Sequence, residues 1–246
     1  MEQGTPDGTD LSDPLAPEEM GLSRHDMLYL DGRGLSCARL RAGELNPSVG
    51  KALIRQVIVP GIPAIVKTQE RRCRGLVEVG FSSPRFLGGT RLRLKSEVPL
   101  ASITEILSPF DLAHKTEAHH VGALGPTVGR LAALARNYGL RAGLYGSAAL
   151  RFVTGLPFLH RNSDIDLLLR YRTPDADTLS FYRQALEICA ERGFGPDFEI
   201  LCADGSGIKL AELLGPGKTV LCRGLYRTEL REKEVLEWLP PPTPNS

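Results

Sequence analysis

The second half of the chain alternates between two spacings of apolar residues, one typical of helices and one typical of strands. Residues 127–137 place apolar side chains three to four positions apart and stop at Gly139, which predicts an amphipathic helix. Residues 163–169 have a polar start and a short apolar run, which predicts a strand. By the same criteria, helices are predicted at 127–137, 148–153 and 176–192, and strands at 140–145, 163–169, 198–202, 207–210 and 218–222.

The first half has a pattern that favours strands. Two stretches rich in β-branched residues surround a Pro-Gly turn within residues 57–67. Residues 99–107 are consistent with either a short helix or an irregular link, and the breakers within 109–123 indicate a boundary. The strand-like stretches lie at 27–30, 57–67, 75–81 and 91–95.

These elements predict an α+β protein made of two domains with a tail at each end. Residues 21–118 are expected to form a small α/β or β-rich domain with basic faces. Residues 119–239 are expected to form a mixed sheet with flanking helices. Residues 1–20 are interpreted as a disordered acidic tail and residues 240–246 as a short Pro-rich tail.

The charge is distributed unevenly although the formal net charge is only +1. Residues 1–20 contain six acidic residues and no Lys or Arg, whereas residues 21–100 contain 14 basic and six acidic residues. This basic region suits a polyanionic ligand or an acidic partner. Aromatic residues make up only 6% of the chain and are not interleaved with the basic ones, which disfavours nucleic acid as the partner.

Two features of the sequence, its five cysteines and its lack of a long apolar run, limit where in the cell the protein is expected. The cysteine count is odd and shows no CxxC spacing, which favours free thiols in a reducing cytoplasm over disulfides or a zinc site. No stretch approaches the roughly 18 apolar residues of a membrane span. The expected location is therefore the cytoplasm.

Two aspartates open the strand predicted at 163–169. Side chains at i and i+2 of a strand share a face, so Asp164 and Asp166 project together. Two adjacent carboxylates repel each other unless a positive charge lies between them, and Mg²⁺ prefers such oxygen ligands. Two solvated aspartates at a strand end are the simpler interpretation of this motif taken alone.

A glycine-serine pair precedes these aspartates, between a predicted strand and a predicted helix. Gly146 allows close approach of the backbone, and Ser147 offers a hydroxyl beside helix N–H groups that favour phosphate. The alternative is a helix-capping serine without a ligand. A third acidic pair, Asp197 and Glu199, shares one face of a later strand, and either residue is a candidate to complete a metal site.

This order of elements resembles the nucleotidyltransferase superfamily, which includes DNA polymerase β. The resemblance implies a polymerase-β-like fold for residues 119–239. It also implies that Asp164, Asp166 and Glu199, with Asp197 as the alternative to Glu199, hold two Mg²⁺ ions for in-line phosphoryl transfer.

A longer match narrows the resemblance to one family. The stretch GSAALRFVTGLPFLHRNSDIDLLLR, residues 146–170, is similar to the phosphoribosyl-dephospho-CoA transferases of the malonate decarboxylase system, also called holo-acyl-carrier-protein synthases. The similarity extends over about residues 22–230. Supporting matches occur in the same order at Arg24-His25-Asp26, 62–67, 75–81 and 197–199.

The resemblance implies an activity and roles for its residues. Members attach a phosphoribosyl-dephospho-CoA group to a serine of the acyl-carrier subunit of malonate decarboxylase. The donor is 2′-(5″-triphosphoribosyl)-3′-dephospho-CoA, and pyrophosphate leaves. Asp164 and Asp166 would be catalytic, one of them helping to accept the serine proton, and Gly146 and Ser147 would hold the β- and γ-phosphates.

Other interpretations stay open at this level. The same constellation serves ATP-dependent adenylylation, and a non-catalytic binding protein of this fold is a further alternative; a citrate-lyase-type carrier is conceivable as acceptor. Arg24-His25-Asp26 either contacts donor or carrier or fixes the first strand. The basic run at 71–74 is either a solvated loop or a docking surface for an acidic carrier.

Overall fold

Two separate sheets and their helices form the protein, which confirms the predicted α+β class. The computed structural model describes residues 14–87, 89–115, 122–160, 163–170 and 176–238. The predicted Pro-rich tail at 240–246 and residues 1–13 of the predicted acidic tail lie outside the described residues.

The first sheet is built from the N-terminal part of the chain. Its strands are β1 (Met27–Leu30), β2 (Ala64–Val66), β3 (Leu76–Leu87), β4 (Thr90–Pro99) and β5 (Ile103–Leu107). They lie in the order β4-β3-β2-β1-β5, and every neighbouring pair is antiparallel. The long β3-β4 hairpin forms one end of this sheet, so β4 is an edge strand that can reach other parts of the molecule.

Two helices that the apolar pattern did not predict pack on this sheet. They are α1 (Gly32–Leu45) and α2 (Lys51–Val57). The Asp31 side chain caps α1 by accepting a hydrogen bond from the Gly34 N–H at 2.7 Å. Leu35, Ala38 and Ala42 form its buried face. Small apolar residues at helical spacing after a capping Asp were the features of the sequence that could have predicted α1.

Two predicted elements of the first half are wrong. Within 57–67 only Ala64–Val66 is a strand, because Ile54 and Val57 bury the face of α2 that precedes it. Residues 99–107 contain a short 3-10 helix at Leu100–Ser102 followed by strand β5 at Ile103–Leu107, so the prediction missed the strand. That strand pairs with β1 along one edge and leaves most of its side chains partly or fully exposed, so its sequence carries no burial pattern.

Residues 14–20 are folded, which corrects the prediction of disorder for this part of the acidic tail. A short 3-10 helix covers Pro17–Met20, and Ala16 and Pro17 are buried. Glu18 and Glu19 pair with Arg72 and Arg74 at 3.4 and 3.2 Å. The acidic segment is therefore held against the basic run at 71–74.

The second sheet is mixed. Its strands are β6 (Arg141–Tyr145), β7 (Asp164–Arg170), β8 (Gly195–Leu201), β9 (Gly207–Lys209), β10 (Thr219–Arg223) and β11 (Thr228–Glu232). They lie in the order β11-β10-β9-β8-β7-β6. Only β7 and β8 run parallel; the other neighbouring pairs are antiparallel.

Five helices accompany this sheet, and they cover its two faces unequally. They are α3 (Pro109–Lys115), α4 (Leu124–Asn137), α5 (Gly146–Thr154), α6 (Ala176–Ala190) and α7 (Leu210–Leu214). The main core joins residues of α4, α5 and α6 to one face of the sheet, including Ile165, Leu167 and Ile200. On the other face, Pro109 and Phe110 of α3 pack directly on Gly143 of β6.

The alternation of side chains along β7 and β8 determines which residues lie on the face of the sheet opposite the main core. Because Ile165, Leu167 and Ile200 point into the core, their neighbours on β7 and β8 point to the opposite side. Those neighbours include Asp164, Asp166, Asp197 and Glu199. The described part of the chain contains no helix long and apolar enough to cross a membrane.

Candidate active site

Strand register brings three carboxylates together at one end of the second sheet. Asp164 and Asp166 share a face of β7, and β8 lies parallel beside it. Asp166 is directly paired with Asp197, whereas Glu199 is paired with Leu168, one step further along the sheet. The structure therefore groups Asp164, Asp166 and Asp197 and places Glu199 at the edge of this group.

Asp166 experiences the strongest electrostatic penalty of the group. Burial, followed by the negative charges of Asp197 and Asp164, raises the pKa of Asp166 to about 7. Lys209 and the backbone N–H of Ser147 act in the opposite direction without cancelling the effect. The site is short of positive charge, which is the condition under which carboxylates bind a cation.

Two glycines make room for these carboxylates. A Cβ atom on Gly146 would collide with the carboxylate of Asp166, and one on Gly195 would collide with that of Asp164. Gly146 also has a φ of +67°, a conformation that residues with a side chain rarely adopt. The Gly-Ser turn predicted from the sequence thus serves to seat Asp166 against the start of α5.

Ser147 lies beside Asp166 and contacts an arginine from the other sheet. Its backbone N–H donates to Asp166, and its Oγ accepts a hydrogen bond from Arg91 Nη1 at 2.6 Å. Arg91 belongs to the edge strand β4, and its Nη2 donates to the carbonyl of Phe158. The first sheet therefore delivers a positive charge to the glycine-serine turn.

Sequence reasoning missed Arg91 because it is distant from the motif and lies among other basic residues. Its guanidinium stacks on Phe86 and Phe158, with Cζ 4.7 and 5.4 Å from the ring centroids. Its Nε is buried and has no hydrogen-bond partner among the described residues. Burial lowers the pKa of Arg91, and nearby Arg93 lowers it further. This desolvated cation has no carboxylate partner in the described part of the chain.

Glu199 is occupied by the N-terminal Arg24-His25 pair. Its Oε2 lies 3.3 Å from Arg24 Nη2 and 3.4 Å from His25 Nε2, and its side chain is only 4% exposed. Burial alone would raise the pKa of Glu199, but the hydrogen bond from His25 and the charge of Arg24 outweigh it and lower the pKa to about 2. Glu199 is thus an ionised, paired carboxylate, and Asp197 is the closer partner of Asp166. Asp197 itself is paired with Lys209.

Tyr145 links this pair to the carboxylates. The imidazole of His25 stacks on the Tyr145 ring with centroids 4.0 Å apart. The Tyr145 hydroxyl is buried and has no hydrogen-bond partner among the described residues. Burial raises the pKa of Tyr145, and so do the charges of Glu199, Asp166 and Asp197. The phenol is therefore a protonated donor close to the acidic cluster.

The donor set fits Mg²⁺ through one or two carboxylates, with the rest of the shell supplied by water and substrate. In the described residues, no three His, Cys, Asp or Glu side chains are arranged as a ready-made metal site. Mg²⁺ commonly uses only one or two carboxylates and completes its shell with water and substrate phosphates. The uncompensated charge at Asp164 and Asp166 meets that requirement.

Comparison with known proteins gives two family matches that together span most of the chain. Residues 23–109 match the family described as the phosphoribosyl-dephospho-CoA transferase MdcG N-terminal domain. Residues 111–234 match the corresponding C-terminal domain.

Curated relatives bear the same description. A phosphoribosyl-dephospho-CoA transferase of Xanthomonas euvesicatoria pv. vesicatoria is 32% identical over 185 residues, covering 72% of this chain and 84% of the relative. One of Xanthomonas campestris pv. campestris (strain 8004) is 29% identical, covering 69% and 81%, and one of Azotobacter vinelandii is 30% identical, covering 61% and 66%. No solved structure matches the chain significantly, so the likeness to polymerase β stays a prediction.

A Gly146→Ala substitution tests the close packing of the Asp166 carboxylate against Gly146. The added methyl group meets the Asp166 carboxylate at a positive φ, so we expect a loss of about 1–3 kcal/mol in the free energy of unfolding. Gly129→Ala is the matched control, since its Cβ enters open space within α4 and should stabilise by up to about 1 kcal/mol. Denaturant unfolding measures both; equal effects would contradict the packing argument.

The raised pKa of Asp166 predicts a pH dependence of stability in Mg²⁺-free buffer. Because the folded state binds this proton more tightly than the unfolded state, stability falls as pH rises from about 4 towards 7. Asp166→Asn removes the effect. The difference in unfolding free energy between variant and wild type should therefore grow in favour of the variant, by on the order of 2 kcal/mol, between pH 5 and 8. Parallel stability curves for the two proteins would show that Asp166 titrates normally.

Proposed function

The chain belongs to the phosphoribosyl-dephospho-CoA transferase family, and on that premise we propose that it is a nucleotidyltransferase that completes an acyl-carrier protein. The carrier is the apo acyl-carrier subunit of malonate decarboxylase. The donor is 2′-(5″-triphosphoribosyl)-3′-dephospho-CoA. The observation that carries the proposal is the placement of Asp164, Asp166 and Asp197 beside Ser147 at the start of α5.

The reaction exchanges one phosphorus–oxygen bond for another. The serine Oγ of the carrier forms a bond to the α-phosphorus of the donor, and the bond between the α-phosphorus and the bridging oxygen to the β-phosphate breaks. Pyrophosphate leaves, and a phosphodiester joins carrier and prosthetic group. A carboxylate of the acidic cluster accepts the serine proton.

Asp164 and Asp166 would hold Mg²⁺, and the geometry favours Asp197 over Glu199 as the third ligand because Asp197 is paired directly with Asp166. When bound, two such ions supply electrostatic stabilisation to the attacking and leaving oxygens. Glu199 has a structural role in this proposal. By pairing with Arg24 and His25 it fixes the N-terminal segment against the second sheet.

Arg91 and Ser147 would bind the β- and γ-phosphates of the donor, which leave as pyrophosphate. The N-terminus of α5 presents backbone N–H groups, which favour phosphate oxygens. Arg91 adds a full positive charge at 2.6 Å from the Ser147 hydroxyl. This guanidinium has no carboxylate partner in the described residues, so its charge is available to a phosphate near Ser147.

The carrier is the less constrained partner. Arg72 and Arg74 are paired with Glu18 and Glu19 of the same chain, so an acidic carrier docking there would compete with these contacts. We place the reaction in the cytoplasm, because all five cysteines are free thiols.

Mass spectrometry of the carrier tests the proposed function. We incubate the full chain with Mg²⁺, the triphosphoribosyl-dephospho-CoA donor and apo malonate decarboxylase carrier. A mass gain equal to phosphoribosyl-dephospho-CoA is expected. Asp164→Asn should slow the gain by about 100-fold or more, as lost transition-state electrostatics usually do.

The controls separate the alternatives. Glu187→Gln removes an exposed acid on α6 and should leave the rate unchanged. Labelling with ATP alone, and none with the dephospho-CoA donor, would support adenylylation instead. Modification of a citrate-lyase carrier in preference to the malonate decarboxylase carrier would reassign the acceptor.

Arg91→Lys tests the phosphate-binding role of the first sheet. Lysine keeps the charge but cannot contact Ser147 and the Phe158 carbonyl together. We expect KM for the donor and the inhibition constant of pyrophosphate to rise about tenfold, equivalent to about 1.4 kcal/mol of binding. Arg93→Lys, on the exposed part of the same strand, should change neither value. Unchanged pyrophosphate inhibition in the Arg91 variant would show that this arginine only joins the two sheets.

A further inference from the structure

A second cavity lies on the same face of the second sheet as the acidic cluster. Its volume is about 320 Å³, and the 23–26 segment, the start of α3 and the strands β7 and β8 line it. Leu168 and Glu199 form its side nearest the acidic cluster, and Arg170 lies at its far side. At about 3.3 Å per strand residue, Asp166 and Arg170 are roughly 13 Å apart along β7.

Two arginines stand side by side in this cavity without a carboxylate partner. Arg141 and Arg170 are directly paired across β6 and β7. Both guanidiniums lie over the Phe110 ring, with Cζ 5.2 and 4.9 Å from its centroid. Neither forms an ion pair with any residue that the structure describes. Both arginines are solvent-exposed where they line the cavity. Partial burial, followed by the charge of Arg141, lowers the pKa of Arg170.

The rest of the lining determines what kind of anion fits. Phe110, Leu168 and Leu201 supply an apolar surface beside the arginines. Asp26 and Asp111 line another part of the cavity, where burial, with a contribution from the charge of Asp111, raises the pKa of Asp26 to about 6. Arg24 and Glu199 neutralise each other. A ligand that combines an apolar or aromatic body, hydroxyl groups and a compact double anion matches this arrangement.

We propose that this cavity binds the dephospho-CoA half of the donor, with Arg141 and Arg170 clamping its diphosphate. The inference rests on the proposed function. The donor carries two separate groups of phosphates, and two linked riboses keep them apart. One group belongs at Ser147 and the acidic cluster, so the other needs its own positive site on the same face. Adjacent guanidiniums bind such oxygens in two-pronged fashion, and hydroxyls of the ribose suit the acidic part of the cavity.

Titration calorimetry with dephospho-CoA alone tests this inference on the full chain. Arg141→Gln and Arg170→Gln should each raise the Kd of dephospho-CoA at least tenfold. Arg136→Gln is the matched control, because Arg136 is exposed on α4 outside the cavity. A second titration, with Mg²⁺ alone, should give the same Kd in all four proteins, since the metal probe reports on the acidic cluster and not on the arginine pair.

The outcomes separate this inference from the proposed function. Absence of dephospho-CoA binding in the wild type, or binding that ignores both arginine variants, overturns the cavity assignment even if carrier transfer proceeds normally. Arginine-dependent binding without carrier transfer supports the cavity and rejects the proposed reaction. Should a glutamine variant fail to fold, Arg141→Lys and Arg170→Lys decide. A raised Kd in them supports the clamp, and an unchanged Kd overturns it.

Discussion

Repulsion between neighbouring carboxylates is the constraint on which the arrangement of the site depends. The second sheet must bury Ile165, Leu167 and Ile200 on one face, and strand alternation then forces Asp164, Asp166 and Asp197 together on the other. The pKa of Asp166 rises to about 7 because burial and two like charges oppose its ionisation. Glycines at 146 and 195 allow these carboxylates to sit close to the backbone. A site with this excess of negative charge is stabilised when a cation binds to it.

The first sheet supplies part of that positive charge from outside the 146–166 motif. Arg91 reaches Ser147 from the edge strand β4, and Arg24 and His25 engage Glu199 from the segment before β1. These contacts connect the two sheets through charged groups around the same face, while Met27 and Ile62 add apolar contacts to the second core. Individual basic residues of the 21–100 region therefore make specific contacts, in addition to the electrostatic field that the whole region produces.

Local patterns predicted the second half of the fold well and the first half poorly. The helix at 127–137 and the strand at 163–169 have strong periodicity, and both are present as Leu124–Asn137 and Asp164–Arg170. The helix Gly32–Leu45 was missed because its buried face consists mainly of small residues and two glycines interrupt its start. The strand Ile103–Leu107 was missed because an edge strand with exposed side chains lacks alternation.

The sequence by itself identified the candidate site: Asp164 and Asp166 by their spacing, the glycine-serine turn, and Asp197 and Glu199 on one face of a later strand. Only the tertiary structure showed which of the last two lies beside Asp166 and which lies beside Leu168, because that depends on strand register. The tertiary structure also places Arg91, Arg141 and Arg170 on the same face of the second sheet as these carboxylates. Their positions depend on contacts between residues far apart in the chain, which local periodicity does not encode.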